Sequence, residues 1–175
     1  MDLPGVDALN ALSADAFAVT LAPLFEGAPR FLRRLASARP FDSDEALFAA
    51  AREVAATAPQ DELVELLDAH PRIGAVPGEM SELSRGEQDD GAGADVALAQ
   101  ELSDVNAAYE QRFGFRYVVF VAGRPRAEIV PLMEVALRNE RDAELRRGID
   151  DAIFIAADRL RSIRGLRASG EEADT

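Results

Sequence analysis

One side chain in this sequence can do acid–base chemistry as an imidazole. His70 is the only histidine, and it follows Leu67, Leu66 and Leu63 by three, four and seven residues. It therefore projects from the apolar face of a helix, near that helix's C-terminal end. A helix C-terminus favours an imidazolium, which suits a general acid or base. The same position also suits a half-buried histidine that caps helix carbonyls. Further along, Ser84-Arg85-Gly86-Glu87 puts a carboxylate three residues after a serine. That spacing fits a capping box, with Glu87 reaching back to the Ser84 N–H, or an acid with a functional role; Gln88, next to it, is unremarkable by itself. Arg159 shares a helical row with Ala152, Ile155 and Ile163 and so points inward. An inward guanidinium needs a partner. It is one of the chain's many carboxylates or, for a planar fork, the carboxylate of a ligand. Asn106 and Tyr109, one turn apart, are polar members of an apolar seam.

The missing residue types narrow the chemistry further. There is no Cys, and all 19 basic residues are Arg. Thiol nucleophiles, disulfides and thiolate metal sites are excluded, as are Schiff bases and lysine-anchored pyridoxal phosphate. A single His excludes multi-histidine metal centres, and no metal is expected. The phosphate-binding Gly-Lys pair is absent. A net charge of −13 argues against nucleic acid and anionic membrane surfaces as partners. No apolar run approaches the roughly 18 residues of a membrane span. Met1-Asp2-Leu3-Pro4 lacks the basic start and apolar stretch of a secretory signal, and the final Ala-Asp-Thr is no peroxisomal signal. These features predict a cytoplasmic protein whose catalysis, if any, uses one imidazole, carboxylates, guanidinium groups, hydroxyls and amides.

The elements that must position these groups read as helices. At 175 residues, 48% hydrophobic and 6% aromatic, the Ala/Leu-rich chain favours packed helices over β-sandwiches. Asp42-Ser43-Asp44-Glu45 supplies an N-cap for a helix through Ala46–Ala56. A second helix spans Gln60–Ala69 and stops at His70, because Pro71 disfavours helix before it. Residues 71–94, rich in Gly and Pro, form an irregular segment of a length usually found at functional sites. Helices are expected at 95–112, with Gly114 as the C′ residue, at 127–138 and at 142–164. Phe115–Val121 is a buried extended connection or an isolated strand. The fold is predicted to be an all-α, single-domain multi-helix bundle over 1–167, with a disordered acidic tail at 168–175.

Five blocks occur in order: His70-Pro71-Arg72-Ile73-Gly74, Ser84-Arg85-Gly86-Glu87-Gln88, Asn106-Ala107-Ala108-Tyr109, Arg112-Phe113-Gly114-Phe115 and Ile155-Ala156-Ala157-Asp158-Arg159-Leu160. From about Leu12 to Arg164 the chain resembles the 2-oxo-4-hydroxy-4-carboxy-5-ureidoimidazoline (OHCU) decarboxylases. The resemblance implies an all-helical, usually dimeric protein without metal or organic cofactor that converts OHCU to (S)-allantoin in urate degradation. It implies that His70 is catalytic, with Glu87 as its acidic partner. Pro71 and Ser84 would shape the pocket, Gln88 would bind ureido or ring amide groups, and Arg159 would hold the substrate. Backbone amides at Val119, Phe120 and Val121 would line the pocket. Many members of that family have proline where this chain has Arg116, and arginine where it has Ala136. Two other readings stand beside this one. One is a non-catalytic helical interaction domain in which His70 and Glu87 are structural. The other is an enzyme of the same fold acting on a different ureido or carboxylated heterocycle.

Overall fold

The computed structural model describes residues 3–75, 80–88 and 96–171, without the side chains of Glu87 and of 166–171. Among the described residues there are nine helices and no strand. They are α1 (Val6–Ala11), α2 (Ala14–Leu21), α3 (Pro29–Ala36), α4 (Asp44–Thr57), α5 (Gln60–Ala69), α6 (Glu82–Gln88), α7 (Val96–Phe113), α8 (Arg126–Ala136) and α9 (Arg141–Glu171). The all-α expectation is met. The chain folds as two compact units, residues 1–66 with 153–175, and residues 67–152.

In the first unit, serines begin two helices: Ser13 accepts from the Ala16 N–H and Ser43 from the Ala46 N–H, each at 3.2 Å. The N-cap of α4 is thus Ser43, one residue after Asp42. Pro29 occupies the first turn of α3, where its missing N–H costs nothing. That helix buries Phe31, Leu32 and Leu35 and turns Arg30 and Arg34 outward. Arg34 pairs with Glu62 on α5 at 2.7 Å, and Arg30 pairs with Asp61 and Glu65. Arg39 donates to the carbonyls of Ala36 at 2.7 Å and Leu9 at 3.1 Å, tying the end of α3 to the end of α1.

In the second unit, α7 ends where Gly114 enters the left-handed region (φ +78°), and its N–H donates to the Glu110 carbonyl at 2.8 Å. Gly114 is the C′ residue that the sequence predicts. The chain then crosses the aromatic cluster of Tyr109, Phe113, Phe115 and Tyr117 without forming a strand. Of the two sequence alternatives for 115–121, the buried connection is the one found. Gly148 on α9 lets Leu67 approach so closely that a Cβ there would lie 3.1 Å from Leu67 Cδ1.

Three features differ from the sequence reading. The helices α1, α2 and α3 span six, eight and eight residues, too short for a 3.6-residue period to declare itself. The segment expected to be irregular contains α6, whose N-cap is Ser81 rather than Ser84. The Ser84 N–H donates to Ser81 Oγ at 3.1 Å, and the Arg85 N–H to the Ser81 carbonyl at 3.0 Å. Ser84 is therefore inside the helix and cannot cap it, so the capping-box reading of Ser84 and Glu87 fails. Finally, α9 continues past Arg164 to Glu171; residues 172–175 lie outside the described residues.

Candidate active site

His70 sits one residue past the end of α5 and is 4% exposed. Its N–H donates to the Leu67 carbonyl at 3.1 Å, which closes the last turn before Pro71 halts the helix. The chain then runs as a strap over residues 70–75. Ile73 is buried and anchors it. Gly74 turns it with φ +78°, and a Cβ at that position would lie 2.8 Å from Leu102 Cδ1. Only glycine meets both demands.

Neutral amides fix the strap. Gln88, on α6 and 8% exposed, accepts from the Gly74 N–H at 2.9 Å and donates to the Arg72 carbonyl at 3.4 Å. Asn106, on α7, donates to the carbonyls of Ile73 at 3.0 Å and Leu102 at 2.7 Å. Ser84, one turn before Gln88 on α6, is 2% exposed. The Glu87 side chain lies outside the description. A cleft of about 400 Å³ runs along the strap, walled in part by Pro71, Gly74, Ser103, Asn106 and Arg116. That volume falls among small-ligand pockets, roughly 300–1,000 Å³. Asn106 Oδ1 is buried and has no hydrogen-bond partner among the described residues.

Arg116 holds the end of α5 from the side. Its backbone N–H donates to Asp68 Oδ1 at 2.9 Å and its guanidinium to the His70 carbonyl at 2.8 Å. Opposite it, Arg72 makes a two-pronged pair with Glu110, both bonds 2.7 Å. This pairing holds the Glu110 carboxyl below the usual carboxylate range against the effect of burial.

Val119, Phe120 and Val121 follow the aromatic cluster. The Phe120 N–H donates to Asp151, and the carbonyls of Phe120 and Val121 accept from Arg124 at 2.5 and 2.9 Å. These backbone groups are thus part of a larger buried network. Glu144 accepts from Tyr109 Oη at 2.6 Å, from Asn139 at 2.7 Å and from Arg147 at 3.0 Å. Arg147 also reaches Asp151 at 2.9 Å and lies over the Tyr117 ring. Burial alone would push Glu144 up, but the donors Arg147, Tyr109 and Asn139 outweigh it and hold its carboxyl low. Sequence reasoning named Tyr109 but missed Glu144, Arg147 and Asp151. The readable signal was their spacing on one helix, i, i+3 and i+7, with an acid at each end.

Arg159 belongs to the first unit. It is 3% exposed; one terminal nitrogen lies 2.9 Å from Glu26 Oε1, and the other donates to the Leu24 carbonyl at 3.0 Å and the Pro23 carbonyl at 3.4 Å. Glu26 is thus a protein carboxylate partner of this inward guanidinium. Glu26 and Ala28 take left-handed conformations, φ +56° and +51°, around Gly27, so the arginine holds an unusual turn.

These features define an all-helical protein, among the described residues, with a buried histidine next to Pro71 of a cleft. Residues 10–161 match the OHCU decarboxylase family, and the chain belongs to it. It is 29% identical over 154 residues to the 2-oxo-4-hydroxy-4-carboxy-5-ureidoimidazoline decarboxylase of Haloferax volcanii, covering 87% of this chain and 91% of that one. It is 28% identical over 158 residues to the uric acid degradation bifunctional protein of a Bacillus species (strain TB-90), covering 89% of this chain and 31% of that protein. It thus spans under a third of the bifunctional relative and nearly all of the single-function one. Among solved structures, an OHCU decarboxylase crystallised in the presence of (S)-allantoin superposes with a TM-score of 0.64 at 23% identity, over 77% of this chain and 89% of that one. That likeness supports the fold.

Proposed function

We propose that this chain is a carboxy-lyase that decarboxylates OHCU to (S)-allantoin in urate degradation, working without a cofactor as a homodimer in the cytoplasm. The observation that carries the reading is the link between two motif blocks distant in sequence. Gln88 of the Ser84–Gln88 block is hydrogen-bonded to Gly74 and Arg72 of the His70–Gly74 block, which fixes the segment next to the candidate base.

The chemistry suits the residues available. In OHCU the leaving carboxylate sits on a carbon next to an unsaturated ring carbon. When the bond to the carboxylate breaks, CO2 departs and the ring takes the electron pair. The ring nitrogen takes a proton, the hydroxyl gives one up as it becomes a carbonyl, and a proton delivered to one face of the ureido-bearing carbon gives allantoin. The substrate carries its own electron sink, so the protein must only hold it, favour loss of CO2 and manage a proton. His70 is the proton manager in this proposal, and Glu87 is its acidic partner. Pro71, Ser84, Gln88 and the 119–121 segment shape the pocket. In this proposal Arg159 takes the substrate carboxylate, as the family resemblance implies.

The test generates OHCU in place from urate with urate oxidase and hydroxyisourate hydrolase, and follows circular dichroism. Rapid appearance of optically active allantoin, abolished in His70→Ala, is the expected result. Racemic decay at the blank rate would reject the function. Arg159→Lys should raise KM, because a point charge replaces a fork; an unchanged KM would remove Arg159 from the substrate contacts.

A further inference from the structure

We propose that Arg116 is a positioning residue for His70, a two-point clamp that fixes the end of α5 and so aims the imidazole. The proposal rests on the reading of His70 as the catalytic residue. It begins from how the chain delivers Arg116. Gly114 turns the backbone out of α7, and Phe115 and Tyr117 are then drawn into the aromatic cluster on either side of Arg116. In an extended connection, alternate residues face opposite ways. With Phe115 and Tyr117 inward, Arg116 is presented to the end of α5.

There it makes two bonds of different kinds. The backbone N–H takes Asp68 Oδ1 at 2.9 Å, and the side chain takes the His70 carbonyl at 2.8 Å. Asp68 lies in the last turn of α5 and His70 one residue beyond it, where the helix leaves carbonyls without an internal partner. The carbonyl bound is that of His70 itself, so the clamp acts on the residue whose ring must be aimed. Pro71 follows at once and cannot continue the helix. Without the clamp, the end of α5 would be free to fray by a residue. A misplacement of about 1 Å can cost roughly 100-fold in rate. Arg116 also lines the cleft.

The experiment uses untagged protein, because His70 is the only histidine and its ring Cε1–H then gives a single proton resonance. Arg116→Ala is expected to lower kcat about tenfold while KM moves less than about twofold. The ring resonance shifts or broadens at constant pH, and Arg116→Lys, which keeps one donor, recovers most of both. Wild-type kcat with an unmoved resonance in Arg116→Ala overturns the proposal. So does a loss that Lys does not rescue, or one that appears equally in KM. If Arg116→Ala fails to fold, Asp68→Ala removes the other arm and is expected to move the resonance in the same direction; no movement overturns the clamp. Full activity in His70→Ala would sink the catalytic reading instead, and the resonance would still decide whether Arg116 holds His70.

Discussion

Two irregular segments of this protein are each pinned by buried polar side chains, but by different kinds. The turn at residues 22–28 is held by a charge: Arg159, buried, meets the Glu26 carboxylate and two carbonyls of the same turn. The strap at residues 70–75 is held mostly by neutral amides, Gln88 and Asn106, with the Arg116 guanidinium at its start. A buried ion pair tolerates the loss of neither partner, because the survivor is left as an uncompensated charge. An amide loses one or two hydrogen bonds and no charge. The turn is therefore built to stay put. The strap is fixed in shape chiefly by neutral groups, with one charge, Arg116, at the His70 carbonyl.

The sharpest way to separate the two segments is to remove the central group of each. His70→Ala should cut decarboxylation by roughly 10² to 10⁴-fold while the fold survives a loss of about 1–3 kcal/mol in urea denaturation; a variant with full activity would return the strap to a purely structural role. Glu26→Ala should cost about 3–5 kcal/mol in urea denaturation, with the double variant Glu26→Ala, Arg159→Met recovering part of it. If Glu26→Ala is as stable as the parent, the turn is not held by charge. Gln88→Ala should cost about 1–3 kcal/mol and raise KM, and a change in stability alone would show that Gln88 serves only the strap.

Acid probes the network around Glu144. Glu144 is held below its unfolded value, so its stabilisation is complete at neutral pH, above the roughly 4.3 of an ordinary Glu. That stabilisation is lost as pH falls through the lower folded value. Asp151, raised by burial, contributes with the opposite sign: its penalty is relieved as pH falls through its raised value. Glu144→Gln should therefore flatten the decline of the urea midpoint between pH 5 and pH 3, roughly the window of carboxylate titration. An unchanged slope would mean another carboxylate governs acid unfolding. The smallest effect belongs to the exposed pair of Arg34 and Glu62, where Arg34→Ala should leave the midpoint within error.

Much of this was legible beforehand, and the reasons are specific. α5 and α7 carry a leucine row long enough to show its period, and Pro71 and Gly114 punctuate them by removing a helical option or supplying a left-handed one. His70 is buried because it completes the leucine row of α5. The family blocks carried the rest of the site, since nothing in Gln88 itself reveals that it will reach Gly74. What stayed hidden depends on contacts distant in sequence. Ser84 reads as a cap because Glu87 follows it by three, yet the helix is capped at Ser81. Glu144 and Arg147 read as a solvated pair on a charged helix until Tyr109 and Val118 are brought against them. Arg159 was legible as inward but not in its partner, because Glu26 precedes it by most of the chain.

The network around Glu144 also makes the protein report on itself optically. There is no Trp, and the two tyrosines are Tyr109 and Tyr117. Both are buried in the unit of residues 67–152, and both hydroxyls are pushed above the usual phenol range, first of all by burial. In an alkaline titration, tyrosinate absorbance should therefore lag behind that of free tyrosine and rise when this unit opens. Tyrosine emission likewise comes from this unit alone. The chain has a built-in colour signal for the half that carries His70, and none for the half that carries Arg159.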